Sequence, residues 1–151
     1  DLLWKNCPEE EKGNFDYLMD VIDWETNVDP DFYENRFMAP KVIEANDDYI
    51  DEWICYKCET VSAKRLTVMP GKTAVIKDAA AYGLILIQGK GTLNDWEIET
   101  PTLIRYGELT NDEFFVSEAA AKKGITITNT SKTEPIVMLK HFAENPDLVI
   151  G

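Results

Sequence analysis

Histidine is nearly missing: His141 is the only one in 151 residues. A centre holding iron, manganese, nickel or zinc through several imidazoles is therefore excluded, and any Ser–His–Asp arrangement must use His141. No nucleophile elbow is present, and no glycine-rich phosphate loop precedes a helix; the "GKG" at 89–91 joins two strand patterns. Positive charge is scarce as well. Fifteen Lys and Arg stand against 28 Asp and Glu, for a formal net charge of −13. Such a surface repels nucleic-acid backbones and anionic lipid headgroups, so neither is expected as a partner. A few local lysines can still reverse the field inside a pocket, which leaves small anionic ligands open. No apolar run approaches the ~20 residues of a membrane-spanning helix, and no signal-peptide pattern opens the chain. The first residue is Asp1 rather than methionine, from which a larger parent with a further domain is expected. Cysteine is limited to Cys7, Cys55 and Cys58, an odd number that points to reduced thiols and a cytoplasmic setting. Cys55-Tyr56-Lys57-Cys58 has zinc-knuckle or redox spacing without a second such pair. On an extended strand its two thiols face opposite ways, whereas a turn at Tyr56-Lys57 leaves a site with Cys7 open.

What is present divides into two patterns. In the first third, Phe15, Leu18, Met19 and Ile22 recur at helical spacing between Asp16, Asp20 and Asp23. The spacing predicts one amphipathic helix, capped by Asn14 and stopped around Asn27 and Asp29-Pro30, with a further short turn at Pro30–Asn35. Its apolar stripe has to rest on the rest of the chain or on a missing part. Pro40 marks the boundary, dividing the chain into a helical linker segment over 1–40, a β domain over 41–145 and a tail over 146–151.

Beyond Pro40 short apolar runs alternate with Gly and Pro turns. Strands are predicted near Lys41–Glu44, Glu52–Tyr56, Ser62–Val68, Thr73–Ile76, Gly83–Gln88, Leu93–Ile98, Leu103–Arg105, Phe114–Val116, Ile125–Asn129 and Ile136–Phe142. The alanine-rich "SEAAAKKG" is the exception, a helical turn ended by Gly124. Many short strands at this spacing argue for a sandwich or barrel.

Two stretches carry a family resemblance. "MPGKTAVIK" with "YGLILIQGKG", and later "DEFFVS" with "GITITNTS", resemble the two motifs of the cupin family. Gly71, Gly89, Gly91, Gly124 and Asn129 fall in the family's glycine and asparagine places. The resemblance implies a mainly β double-stranded β-helix, a cupin jelly-roll barrel of the RmlC type, with the amphipathic helix before it. The ligand places depart from the family: Lys77 and Ala79 stand where two histidines belong, Tyr82 where a glutamate belongs, and Ile125 where the last histidine belongs, to within about one position. No metal or other cofactor is therefore expected in this chain. A metal-free barrel behind a linking helix is similar to the C-terminal half of type I mannose-6-phosphate isomerase-like proteins. That resemblance implies a non-catalytic domain of a sugar-phosphate isomerase, inactive by itself, whose parent is an aldose–ketose isomerase with zinc in the missing N-terminal half. The alternatives are a cupin that binds a small sugar or acidic ligand, and a dimerisation module without catalytic activity.

For ligand binding the candidates are Lys77, Tyr82, Arg105, Lys140 and His141. The metal-bearing face of a cupin strand points inward, and Thr73, Val75 and Lys77 share one face. Lys77 then lies inside beside Tyr82, with Arg105, Lys140 or His141 as neighbours, where a lysine and an arginine would hold a sugar phosphate or carboxylate. Alternatively Lys77 ends its strand and points to solvent, or pairs with Asp78 or Glu113. Along "IVMLKHF", Val137, Leu139 and His141 share one face and Ile136, Met138, Lys140 and Phe142 the other. A lone histidine is more often a structural group than a base. Trp53, Trp96, Phe114 and Phe115 are expected as core or interface anchors.

Overall fold

The computed structural model describes residues 3–58, 60–101, 107 and 109–143; the predicted strand at Leu103–Arg105 lies outside them. The chain forms two compact units, Asp1–Phe37 and Met38–Gly151.

In the first unit the expected single helix is two. α1 (Phe15–Val21) begins as predicted, with the Asn14 side chain accepting from the Tyr17 amide at 3.2 Å. It then stops at Ile22, because the Asp23 carboxylate accepts from the Thr26 amide at 3.0 Å and starts α2 (Trp24–Asn27). A side chain that caps a new helix competes with continuation of the old one. α3 (Phe32–Arg36) follows, and none of the three helices has a buried residue.

Among the described residues the second unit has ten strands and one helix: β1 (Lys41–Ala45), β2 (Tyr49–Cys55), β3 (Ser62–Val68), β4 (Thr73–Ile76), β5 (Tyr82–Gln88), β6 (Lys90–Leu93), β7 (Trp96–Glu99), β8 (Glu113–Val116), α4 (Glu118–Lys123), β9 (Ile125–Asn129) and β10 (Ile136–Phe142). The predicted strand over Leu93–Ile98 is in fact a hairpin. Asn94 takes φ 50°, and its side chain accepts from the Thr126 amide at 2.9 Å; asparagine adopts this left-handed conformation at low cost.

All pairings are antiparallel. β3 pairs with β10, β4 with β9, β5 with β8, and β6 with β7, nested like one long hairpin. Further pairing of β10 with β5 and of β9 with β6 winds the two arms into facing sheets. The sheet orders are β1-β2-β3-β10-β5-β8 and β4-β9-β6-β7. This is the double-stranded β-helix, or jelly roll, with β1 and β2 added at one edge. The corner between β5 and β6 depends on glycine. Gly89 has φ 86°, and a Cβ there would lie 2.5 Å from the Pro135 carbonyl oxygen; at Gly91 it would lie 2.0 Å from that of Thr128. Neither place admits a side chain.

Strand alternation fills the space between the sheets. Ile136, Met138, Lys140 and Phe142 of β10 are buried and the residues between them are not. Leu66, Leu84, Leu86 and Ile127 are essentially inaccessible, and area burial of this kind supplies most of the drive to fold. Asn129 fixes one end of the roll. Its amide donates to the carbonyls of Val68 at 3.0 Å and Glu134 at 2.9 Å, and its side-chain oxygen accepts from the Ser131 amide.

Candidate functional site: a ring of four buried charges

The inner wall of the larger sheet breaks its apolar pattern at one place. Lys64 on β3 and Lys140 on β10 stand directly opposite each other in the strand register, both pointing inward. Two facing ammonium groups repel. Two carboxylates separate them. Asp78, just past β4 of the other sheet, accepts from Lys64 Nζ at 2.8 Å through Oδ1 and from Lys140 Nζ at 3.0 Å through Oδ2. Asp51 on β2 lies 3.3 Å from Lys140 Nζ and 3.8 Å from Lys64 Nζ. The signs alternate around the ring and the sum is zero, the condition under which charges persist away from water. Lys140 is 1% exposed and Asp78 4%.

Aromatic rings complete the enclosure. Lys64 Nζ lies 4.6 Å from the Trp53 ring centre and 5.6 Å from that of Phe142, and Lys140 Nζ lies 5.7 Å from that of Tyr82. Above the ring sits α4: the Ser117 side chain caps it, Ala121 is fully buried, and the Ala121 carbonyl accepts from the Asp78 amide at 3.2 Å. Burial pushes the Asp51 carboxyl above its ordinary value, against the pull of Lys140 and Lys64. Tyr82 is pushed strongly upward, first by burial and then by the carboxylates of Asp78 and Asp51. Two polar atoms at this wall, Asp51 Oδ1 and Ser62 Oγ, find no hydrogen-bond partner among the described residues. For Asp51 Oδ1 the contact with Lys140 is close enough for an ion pair but not aligned as a hydrogen bond.

The expected site residues are distributed differently. Tyr82 and Lys140 do point inward and do meet. Lys77 does not: Ala74, Ile76 and Asp78 take the inner face, and Lys77 is exposed, its stem lying along Gly124. Val75 and Ile76 are equally apolar, so alternation leaves the parity of this strand open; the inward Lys77 is implied by the cupin resemblance, and the structure has it facing solvent. His141 lies on the outer face, beside Gly83 and opposite in direction to Lys140, and cannot share a cavity with it. Arg105 lies outside the described residues. Of the aromatic anchors, Trp53 is buried, whereas Trp96 is 70% exposed and Phe115 77%.

Sequence reasoning passed over Asp51, Lys64 and Asp78. The available signal was a charge on an otherwise apolar face: Lys64 in register with Leu66 and Val68, and Asp78 with Ala74 and Ile76. The family's divalent ion does not fit this donor set. Both carboxylates are engaged by ammonium groups, which would repel a cation, and Ile125 offers no ligand. Among the described residues, no three His, Cys, Asp or Glu side chains converge on a point. No helix among them is long and apolar enough to cross a membrane.

No protein-family profile matches the sequence, and no curated protein is similar to it. Similar chain paths occur in solved structures. A cupin-2 domain from Rhodospirillum rubrum is 10% identical over 75% of each chain, with a TM-score of 0.49. An RmlC-like cupin from Ralstonia eutropha is 10% identical over 70% of this chain and 63% of its own, with a TM-score of 0.47. The capsular polysaccharide assembling protein CapF from Staphylococcus aureus is 12% identical over 71% of this chain and 31% of its own, with a TM-score of 0.42. The likeness is to cupins. It concerns the course of the backbone, and no activity follows from it. The present chain spans under two thirds of the Ralstonia protein and about a third of CapF.

Proposed function

We propose that the jelly roll is an architectural, non-catalytic cupin-type domain, the metal-free half of a cytoplasmic sugar-phosphate isomerase-like protein. The supporting observation is the Asp51–Lys64–Asp78–Lys140 ring, which fills the inner wall where a cupin's ligands converge and lies under Ala121 of α4. Groups engaged with one another in this way, and closed off from solvent, leave no open coordination for a metal or an outside substrate. In this reading the domain supports a catalytic half bearing zinc. The test is an aldose–ketose isomerisation assay with added zinc on this chain and on its full reading frame. Activity in the longer protein alone supports the reading; absence from both with every metal tried removes it.

A second reading, small-ligand binding, is favoured by one specific feature. A groove of about 410 Å³ opens beside α4 between the sheet edges, lined by Leu93, Trp96, Phe114, Phe115 and Ile125. A sugar or acidic ligand would have to bind at this outer groove rather than at Lys140 and Tyr82, which are enclosed. Homodimerisation is a further proposal, through the outer face of the larger sheet, where Ile85, Ile87 and Phe115 are exposed.

A further inference from the structure

The geometry points to a self-modification site: Lys140 and Asp78 condense into an intramolecular amide, Nζ to Cγ, with Asp51 relaying the protons and one water leaving. This inference is independent of the function proposed above, since the bond can form whatever the domain supports.

Four features of the ring carry it. The nucleophile and the carboxyl are already in place, with Lys140 Nζ 3.0 Å from Asp78 Oδ2. Holding two reactants in contact removes most of the entropic barrier to their reaction. A proton acceptor touches the same nitrogen: Asp51 Oδ1 lies 3.3 Å from Lys140 Nζ and has no aligned hydrogen bond of its own. Burial raises the proton affinity of Asp51, which suits a carboxyl that must take up a proton and return it. Lys64 activates the electrophilic carbon, Cγ of Asp78. It donates to Asp78 Oδ1 at 2.8 Å and is held as a cation over the rings of Trp53 and Phe142, so it neutralises negative charge developing on that oxygen. The surroundings favour condensation, because water is excluded and the product removes one buried positive and one buried negative charge.

The step balances without any co-reactant. The Lys140 ammonium gives one proton to Asp51, and the freed amine attacks Cγ of Asp78 while Lys64 stabilises Oδ1. As the carbon–oxygen bond to Oδ2 breaks, Oδ2 takes that proton back from Asp51 and a second from the attacking nitrogen. Oδ2 leaves as water, the nitrogen keeps one hydrogen, and Asp51 is again a carboxylate facing Lys64. The product ties β10 of one sheet to the segment after β4 of the other, across 62 residues of sequence.

Intact mass of the purified, denatured chain tests this directly. The expected mass is one water below the sequence value, with digestion yielding a branched peptide that joins the Lys140 and Asp78 segments. Asp51→Asn is expected at the full sequence mass with its β circular dichroism retained, and Lys140→Arg likewise. Wild-type protein at the full sequence mass after long incubation overturns the proposal whether or not the variants fold. So does the same loss found in a linear peptide, as an aspartyl imide, or a branch at Lys64 in place of Lys140.

Discussion

The two facing sheets treat charge differently. The smaller sheet presents Ala74, Ile76, Leu93, Ile98, Ile125 and Ile127 to the interior, with Asn129 at the end of β9, a wall without charge. The larger one presents Leu66, Leu84 and Met138, and among them Asp51, Lys64 and Lys140. The larger wall by itself carries two positive charges and one negative. Asp78, reaching over from the end of the smaller sheet, brings the sum to zero. The interior thus tolerates ionised groups only where the partners arrive from separate strands at hydrogen-bonding distance.

The sharpest way to break this comparison is Asp78→Ala. It leaves two buried ammonium groups facing the single carboxylate of Asp51, an uncompensated positive charge, and a loss of about 3–5 kcal/mol is expected in urea unfolding. A loss no larger than that of an exposed pair would mean that water reaches the ring. A smaller effect comes from pH. Burial places Asp51 in the folded chain above its ordinary 3.8, so between those two values the folded state binds more protons than the unfolded one. Stability is then expected to fall as pH climbs through that window, and Asp51→Asn should flatten the fall in thermal melts. A slope unchanged in the variant assigns the effect to other groups. The smallest effect belongs to the surface. Lys72 and Asp48 pair at 2.8 Å with both side chains about half exposed, and Lys72→Ala should cost less than about 1 kcal/mol and less still in high salt.

Much of the roll was legible because period-two alternation and glycine corners are local signals. β3, β4, β9 and β10 fall on their predicted bounds. Gly89 and Gly91 stand where only a glycine fits. What could not be read was non-local. The parity of β4 depends on which of two apolar neighbours, Val75 or Ile76, faces the opposite sheet, and that is decided by packing. The ring was hidden because a lysine on an apolar face reads as an irregularity until its carboxylate is located, and Asp78 lies 14 residues from Lys64 and 62 from Lys140. The break between α1 and α2 was overlooked because Asp23 looked like one more polar residue on a helix rather than the cap of the next.

The nested order of pairing sets the tempo of folding. β3, the first strand of the wound ribbon, pairs with its neighbour β2 along one edge, but along the other it meets β10, the last strand. During synthesis the edge of β3 that faces β10 therefore waits until nearly the whole domain has left the ribosome. Long-range closure of this sort is slow. Within the ribbon the hairpin of β6 and β7, at the centre of the sequence, can form at once and seed the rest from the inside outward, while the neighbouring β1–β2 and β2–β3 pairs form locally beside it.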